Sequence, residues 1–245
     1  MKLRLMICAA AASTALFATD VTSAATYAVM NVTNAYTDTV IAVPWVGLDG
    51  DPILVSNLVN STTLSDGDML YMYDNVSSNW YGYTKVDGAW QGYTTVTEAK
   101  ITIGAADAQT AARGTGLIIQ RASGSPSTNI LLCGRVGTGD VTTTIATGKT
   151  LFANPTATAV DINTKFTGAL GATNGDTISI PLNNGGTDQY TFDGTKSEWG
   201  KVTYTEITLA NGRKRKTQAW SKCGSIPAGT GAWYETTGSG YTVTW

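Results

Sequence analysis

Histidine is absent from this 245-residue chain, which narrows the chemistry its side chains can do. Ser-His-Asp and Cys-His nucleophile systems, histidine-ligated zinc and imidazole acid–base catalysis are excluded. Gly114-x-Gly116 and Gly229-x-Gly231 lack the third glycine of a dinucleotide fingerprint, and both run into apolar, strand-like segments rather than helices. The remaining catalytic option is a carboxylate pair of the glycosidase kind. The glutamates are Glu98, Glu198, Glu206 and Glu235, and Glu98 and Glu235 suggest no paired geometry. Most aspartates flank glycine, as in Asp49-Gly50-Asp51, Asp66-Gly67-Asp68, Asp87-Gly88 and Asp193-Gly194. Turn formation accounts for these, because Asp bonds its own backbone and tolerates the left-handed region. The expectation is a non-catalytic protein, with a carboxylate glycosidase as the third-ranked alternative.

Three other residue sets could bind rather than react. Asp49, Asp51, Asp66 and Asp68 offer hard oxygen ligands from neighbouring turns, which suits calcium, but no terminal Glu or nonapeptide repeat accompanies them. No cofactor is therefore expected, with calcium as the alternative. The aromatics are the stronger set. The chain has 7 Trp and 11 Tyr, flat side chains suited to stacking on sugar rings and equally to filling β cores. Trp80-Tyr81-x-Tyr83 and Trp233-Tyr234 place aromatics on both faces of their strands. Trp80, Tyr81, Tyr83, Trp233 and Tyr234 are accordingly the candidate binding residues, and at least one of each group should reach the surface or an interface. Trp90 and Trp199 occupy corresponding positions and read as core. Arg213-Lys214-Arg215-Lys216 follows the turn Asn211-Gly212. This basic run reads as protection of an edge strand against pairing with other chains, or else as a contact for acidic polysaccharide or an anionic cell surface.

The elements that must position these residues are strands. Apolar residues make up 42% of the chain and charged residues 14%, with 27 Gly and 6 Pro. Such a composition suits strands and tight turns. The net charge of −2 argues against nucleic acid as a partner. Short alternating runs bounded by turn signals follow one another from Thr26 onward, including a hairpin at Asp87-Gly88. The segment Ile53–Val59 reads as one or two helical turns or as a buried strand.

The same order is written twice. Pro44, Gly67, Trp90 and Gly114 find counterparts in Pro155, Gly175, Trp199 and Gly229, 108 to 115 residues later. The expected fold is all-β, with two homologous halves of antiparallel strands, sandwich or barrel-like, packed together with short helical turns. The expected division is a signal peptide at 1–25, a first repeat at 26–137 and a second at 138–245. Lys2 and Arg4, the apolar run Leu5–Phe17 and the small residues Val21–Ala25 carry the export reading. Removal of that segment takes Cys8 and leaves Cys133 and Cys223. In an exported protein these read as one disulfide tying the halves together, with two free thiols as the alternative. The end of the chain, Tyr241-Thr242-Val243-Thr244-Trp245, also fits the last strand of an outer-membrane barrel, although most strands look too short for one.

Leu64-Ser65-Asp66-Gly67-Asp68, the aromatic pair Tyr81 to Trp90, and Gly114-Thr115-Gly116-Leu117 with Pro227 to Tyr234 resemble a group of uncharacterised exported bacterial β proteins. The resemblance implies export and a duplicated β architecture, and it carries no catalytic residues. The expected function is a structural or adhesive role at the cell surface or in an extracellular matrix, through self-association or a cell-surface glycan. A carbohydrate-binding module is the alternative.

Overall fold

The structure is a computed structural model, and it describes residues 27–34, 38–46, 52–54, 64–74, 79–96, 99–105, 110–125, 128–182, 186–209 and 211–245. The segment 1–25 expected to be a signal peptide lies outside these residues, as do Asp49, Asp51, Glu98 and most of the Ile53–Val59 segment.

The chain is built from strands, as its alternating pattern predicts. The first six-stranded sheet contains β2 (Asp38–Ala42), β4 (Met69–Asp74), β5 (Asn79–Val86), β6 (Ala89–Val96), β7 (Ala99–Ala105) and β9 (Gly116–Gln120), ordered β2-β9-β4-β5-β6-β7. The second contains β12 (Gly148–Ala153), β14 (Thr177–Pro181), β15 (Thr187–Asp193), β16 (Glu198–Thr208), β17 (Lys214–Lys222) and β19 (Gly231–Thr236), ordered β12-β19-β14-β15-β16-β17. The second order has the same pattern as the first, shifted by ten strands. All pairings within both sheets are antiparallel, and both sheets are open.

Smaller pairs accompany the sheets in matching fashion. β1 (Tyr27–Asn34) pairs with β10 (Thr128–Arg135), and β11 (Thr142–Ile145) pairs with β20 (Tyr241–Thr244). β3 (Ile53–Leu54) pairs with β8 (Thr110–Ala111), and β13 (Val160–Asp161) pairs with β18 (Ser225–Ile226). The single short helix, among the described residues, is α1 (Ile162–Lys165), capped by the Asp161 carboxylate, which accepts from Asn163 N.

Each sheet buries one face. Leu70 and Met72 of β4, Leu117 and Ile119 of β9, Tyr83 and Trp90 form the first core with Ile130 and Leu132 of β10. Ile178, Ile180, Phe192, Trp199 and Tyr234 form the second, with Ile145, Phe166 and Val243. Period-two alternation then sends Tyr71, Tyr73, Ile118 and Trp233 to the opposite faces. Those two faces are where the sheets meet.

The Gly-Thr-Gly turns make the junction. Gly114 and Gly229 both have left-handed backbones, at φ 88° and 71°, which only glycine adopts without strain. Gly116 and Gly231 are needed for a different reason. A Cβ at Gly116 would lie 2.7 Å from Leu151 Cγ of β12, and one at Gly231 would run into Val40 Cγ1 of β2. Thr115 bridges to Phe152, and Ile41 bridges to Thr230. Each sheet thus places a glycine against a strand of the other: Gly116 meets β12 and Gly231 meets β2.

Two aspartates tie down matching turns. Asp68 and Asp176 are both buried, and each accepts a 2.8 Å bond from a backbone N–H three residues earlier, Ser65 and Thr173 respectively. Asp66 Oδ1 accepts from Gly88 N at 3.1 Å, and Asn174 Oδ1 accepts from Gly194 N at 2.9 Å. The Asp87-Gly88 hairpin forms with both residues at positive φ, 51° and 77°.

One expectation changes. The disulfide is not formed, and Cys223 carries a free thiol. It follows β17 and packs on the second core, with Sγ 3.4 Å from its neighbour's carbonyl, Gly224 O. Cys133 sits opposite Val29 in the β1–β10 pair, which covers the first core. A count of cysteines does not say which thiols meet in space. The Val160–Phe166 segment divides into a two-residue strand and one helical turn.

Candidate functional site

β4 and β5 bring aromatics onto the outer face of the first sheet. Tyr73 stands directly opposite Trp80 in the β4–β5 register, and their ring centroids are 4.9 Å apart. Tyr71 meets the edge of Trp80 at 6.3 Å. Across the junction, Trp233 of β19 lies 5.8 Å from Trp80 and 6.0 Å from Tyr73. All four are half-buried.

Three of these rings, Tyr71, Trp80 and Trp233, line a groove of about 870 Å³ between the two sheets. Ile118 and Val40 complete its apolar wall, and the second sheet lines it with Ser179, Pro181 and Thr187. Polar groups converge on it. Tyr71 Oη donates to Gln120 Oε1 at 3.3 Å, and Lys149 and Glu235, opposed in the β12–β19 register, form an exposed ion pair at 3.9 Å. Gln120, Lys149 and Glu235 all line the groove. An apolar cleft with a few fixed polar groups has the general form of a small-molecule or oligomer binding site.

The five candidate aromatics therefore separate. Trp80 and Trp233 come together at the groove. Tyr83 and Tyr234 are core residues, and Tyr81 packs against the first core. Burial pushes the Tyr83 phenol up to about 12, with Tyr81 adding to the effect. Burial also raises Tyr234 well above the ordinary tyrosine range, followed by its 2.6 Å hydrogen bond to Asp176 Oδ2. Tyr71 and Tyr73, absent from the sequence-derived set, belong to the site. Alternation in Met69-Leu70-Tyr71-Met72-Tyr73 would have placed both on one face once Leu70 and Met72 were assigned to the core.

The other candidates have separate positions. Asp68 accepts from Arg121 Nε at 2.9 Å and from Ala122 N at 2.8 Å as well as from its own turn, so its oxygens, like that of Asp66, serve turn and ion-pair geometry. No group of three or more His, Cys, Asp or Glu that could hold a metal occurs among the described residues. The described glutamates are on different tasks: Glu198 accepts from Trp220 Nε1 at 3.1 Å, Glu206 pairs with Lys214 at 2.6 Å, and Glu235 faces Lys149.

Arg213 precedes β17, and Lys214, Arg215 and Lys216 open it. β17 is the edge strand of its sheet, where strand-edge cations discourage pairing with other chains. No helix among the described residues is long and apolar enough to cross a membrane. Trp245, the residue behind the barrel alternative, packs on Phe152 and Phe166, and its Nε1 donates to Thr143 Oγ1 at 2.8 Å. No protein-family model, curated protein or solved structure matches this chain.

Proposed function

We propose that this chain is an exported, non-catalytic adhesive protein of the cell surface or extracellular matrix, and that it holds a carbohydrate chain in the aromatic groove. The observation that carries the reading is the meeting of Trp80 and Trp233, distant in sequence and 5.8 Å apart in space, beside the polar groups of Gln120, Lys149 and Glu235. Aromatic faces take the apolar C–H faces of sugars, and side-chain amides and charges take their hydroxyls. A binding rather than hydrolytic role is supported by the groove's lining, in which Glu235 is the one carboxylate among the described residues. The reading treats the two sheets and their flanking pairs as copies of one unit, which the shared strand order and reciprocal glycine contacts support.

A glycan array probed with wild-type protein and Trp233→Ala tests it. Selective binding by the wild type, lost in the variant, is expected. An array without signal for the wild type sinks the carbohydrate reading.

A second reading is favoured by the close packing of the rings on one another. The aromatic cluster then serves to hold the two sheets together, and the protein acts structurally through self-association. Size-exclusion chromatography separates the two: concentration-dependent oligomers with no glycan bound would establish the second over the first.

A further inference from the structure

The β16–β17 hairpin runs well past the second core. Every residue of β16 from Thr203 to Thr208 is exposed, and so are Leu209, Arg213 and Lys214–Lys216. Its root is anchored. Trp220 lies across Gly200, its Nε1 donates to Glu198, and Lys196 Nζ sits 4.1 Å over the ring. Beyond that anchor the ribbon has no core face, although strands normally bury one.

The two faces of the ribbon differ. Directly opposed residues of an antiparallel pair project to the same side. Tyr204, Glu206 and Thr208 face Gln218, Lys216 and Lys214, and there the Glu206 carboxylate is bonded to Lys214 at 2.6 Å. The other side carries Ile207 opposite Arg215 and, at the tip, Leu209, whose N–H donates to Arg213 O at 2.7 Å. Ile207 and Leu209 are 45% and 41% exposed. Among the described residues of the ribbon, no carboxylate lies on the side of Arg213 and Arg215. The combination is two aliphatic side chains flanked by two uncompensated guanidinium groups, on the tip of a ribbon that projects from a chain of net charge −2.

We infer that this tip is a docking surface for an anionic phospholipid bilayer. Guanidinium groups make paired hydrogen bonds to phosphate, while Ile207 and Leu209 enter the boundary between headgroups and acyl chains. An acidic polysaccharide would satisfy the cations but leave the aliphatic residues in water. Pairing between β17 strands of two copies would place Lys214, Arg215 and Lys216 in like-charge surroundings. The lipid surface answers both halves of the pattern, and the contact is independent of the aromatic groove.

Vesicle flotation with the full chain tests this. The protein should float with vesicles of equal parts phosphatidylcholine and phosphatidylglycerol and stay behind with pure phosphatidylcholine. Arg213→Gln/Arg215→Gln should weaken binding roughly 30-fold, at about fivefold per cation. Ile207→Ser/Leu209→Ser should weaken it at low salt too, where pure charge attraction would persist. All four positions are exposed, so circular dichroism should show the variants folded, and Trp233→Ala should float as the wild type does. Equal flotation with both vesicle types, flotation with neither, or retention on an anionic polysaccharide column with no vesicle binding would each overturn the inference.

Discussion

The outer faces of the two sheets are built on the same strand order and carry different chemistry. At matching register positions the first sheet presents Tyr71, Tyr73 and Trp80, and the second presents Ser179, Pro181 and Thr187. The exchange is reversed on the strand after the Gly-Thr-Gly turn, where the first has Ile118 and the second has Trp233. Meanwhile the residues that join the sheets keep their types: glycine at 116 and 231, and aliphatic Val40 and Leu151 to meet them. The residues at the junction are alike in the two sheets, and those on the faces differ. The difference gives the groove two aromatic residues from the first sheet, Tyr71 and Trp80, and one from the second, Trp233, beside Ser179, Pro181 and Thr187.

The buried aspartates give the sharpest way to break the equivalence. Asp68 is ion-paired with buried Arg121, whereas Asp176 accepts from the Tyr234 hydroxyl. Asp68→Ala should cost about 3–5 kcal/mol, because it removes the carboxylate paired with a buried guanidinium. Asp176→Ala should cost less, about 1–3 kcal/mol for unpaired neutral donors. Denaturant unfolding of both variants checks the order, and an equal or reversed cost would contradict the two-chemistry account. Next in size is the junction. Gly116→Ala and Gly231→Ala should each destabilise by about 1–3 kcal/mol through overpacking against Leu151 and Val40. A large cost at one glycine and none at the other would show that the contacts are not reciprocal.

Exchanging the divergent residue sharpens the comparison on the functional side. Trp233→Ile installs the residue found at position 118, and it should weaken glycan binding by about 2 kcal/mol, some thirtyfold, while the thermal midpoint moves little. A fall in midpoint with affinity unchanged would assign Trp233 to holding the sheets together. The smallest effect is a pH response. Burial raises Tyr83 from 10.0 and Cys223 from 9.0, each to about 12. Their neutral forms are favoured by folding, so this stability is complete below about pH 9 and is lost as pH rises towards 12. Unfolding midpoints should be level from neutral pH to about 9 and decline beyond it. Cys223 should also react slowly with alkylating reagents at pH 8, since the thiolate is the nucleophile.

Much of the architecture was legible because β patterning is local. Leu70 and Met72 alternate with Tyr71 and Tyr73, Asp87-Gly88 announces its hairpin, and Trp90 and Trp199 occupy corresponding core positions. Trp80 and Trp233 were legible as candidates from their adjacency to other aromatics. What could not be read was their meeting, because 153 residues separate them and no local pattern encodes how one sheet packs on another. The same limit explains Cys133 and Cys223. Their count was informative, but pairing depends on where β10 and the end of β17 lie in space. Tyr81, Tyr83 and Tyr234 entered the candidate set because residue type alone does not tell an inward-facing tyrosine from an outward one. Arg121 escaped notice because a single cation has no periodicity, and only the fold places it beside Asp68.

Indole N–H signals in a nuclear magnetic resonance titration test the central claim most directly, since the chain has 7 Trp and each reports its own surroundings. With the best ligand from the glycan array, the Trp80 and Trp233 signals should move together and saturate at one affinity, while those of buried Trp45, Trp90 and Trp199 stay in place. Movement of Trp220 at the ribbon root without Trp80 and Trp233, or no movement at saturating glycan, would contradict the groove as the binding site.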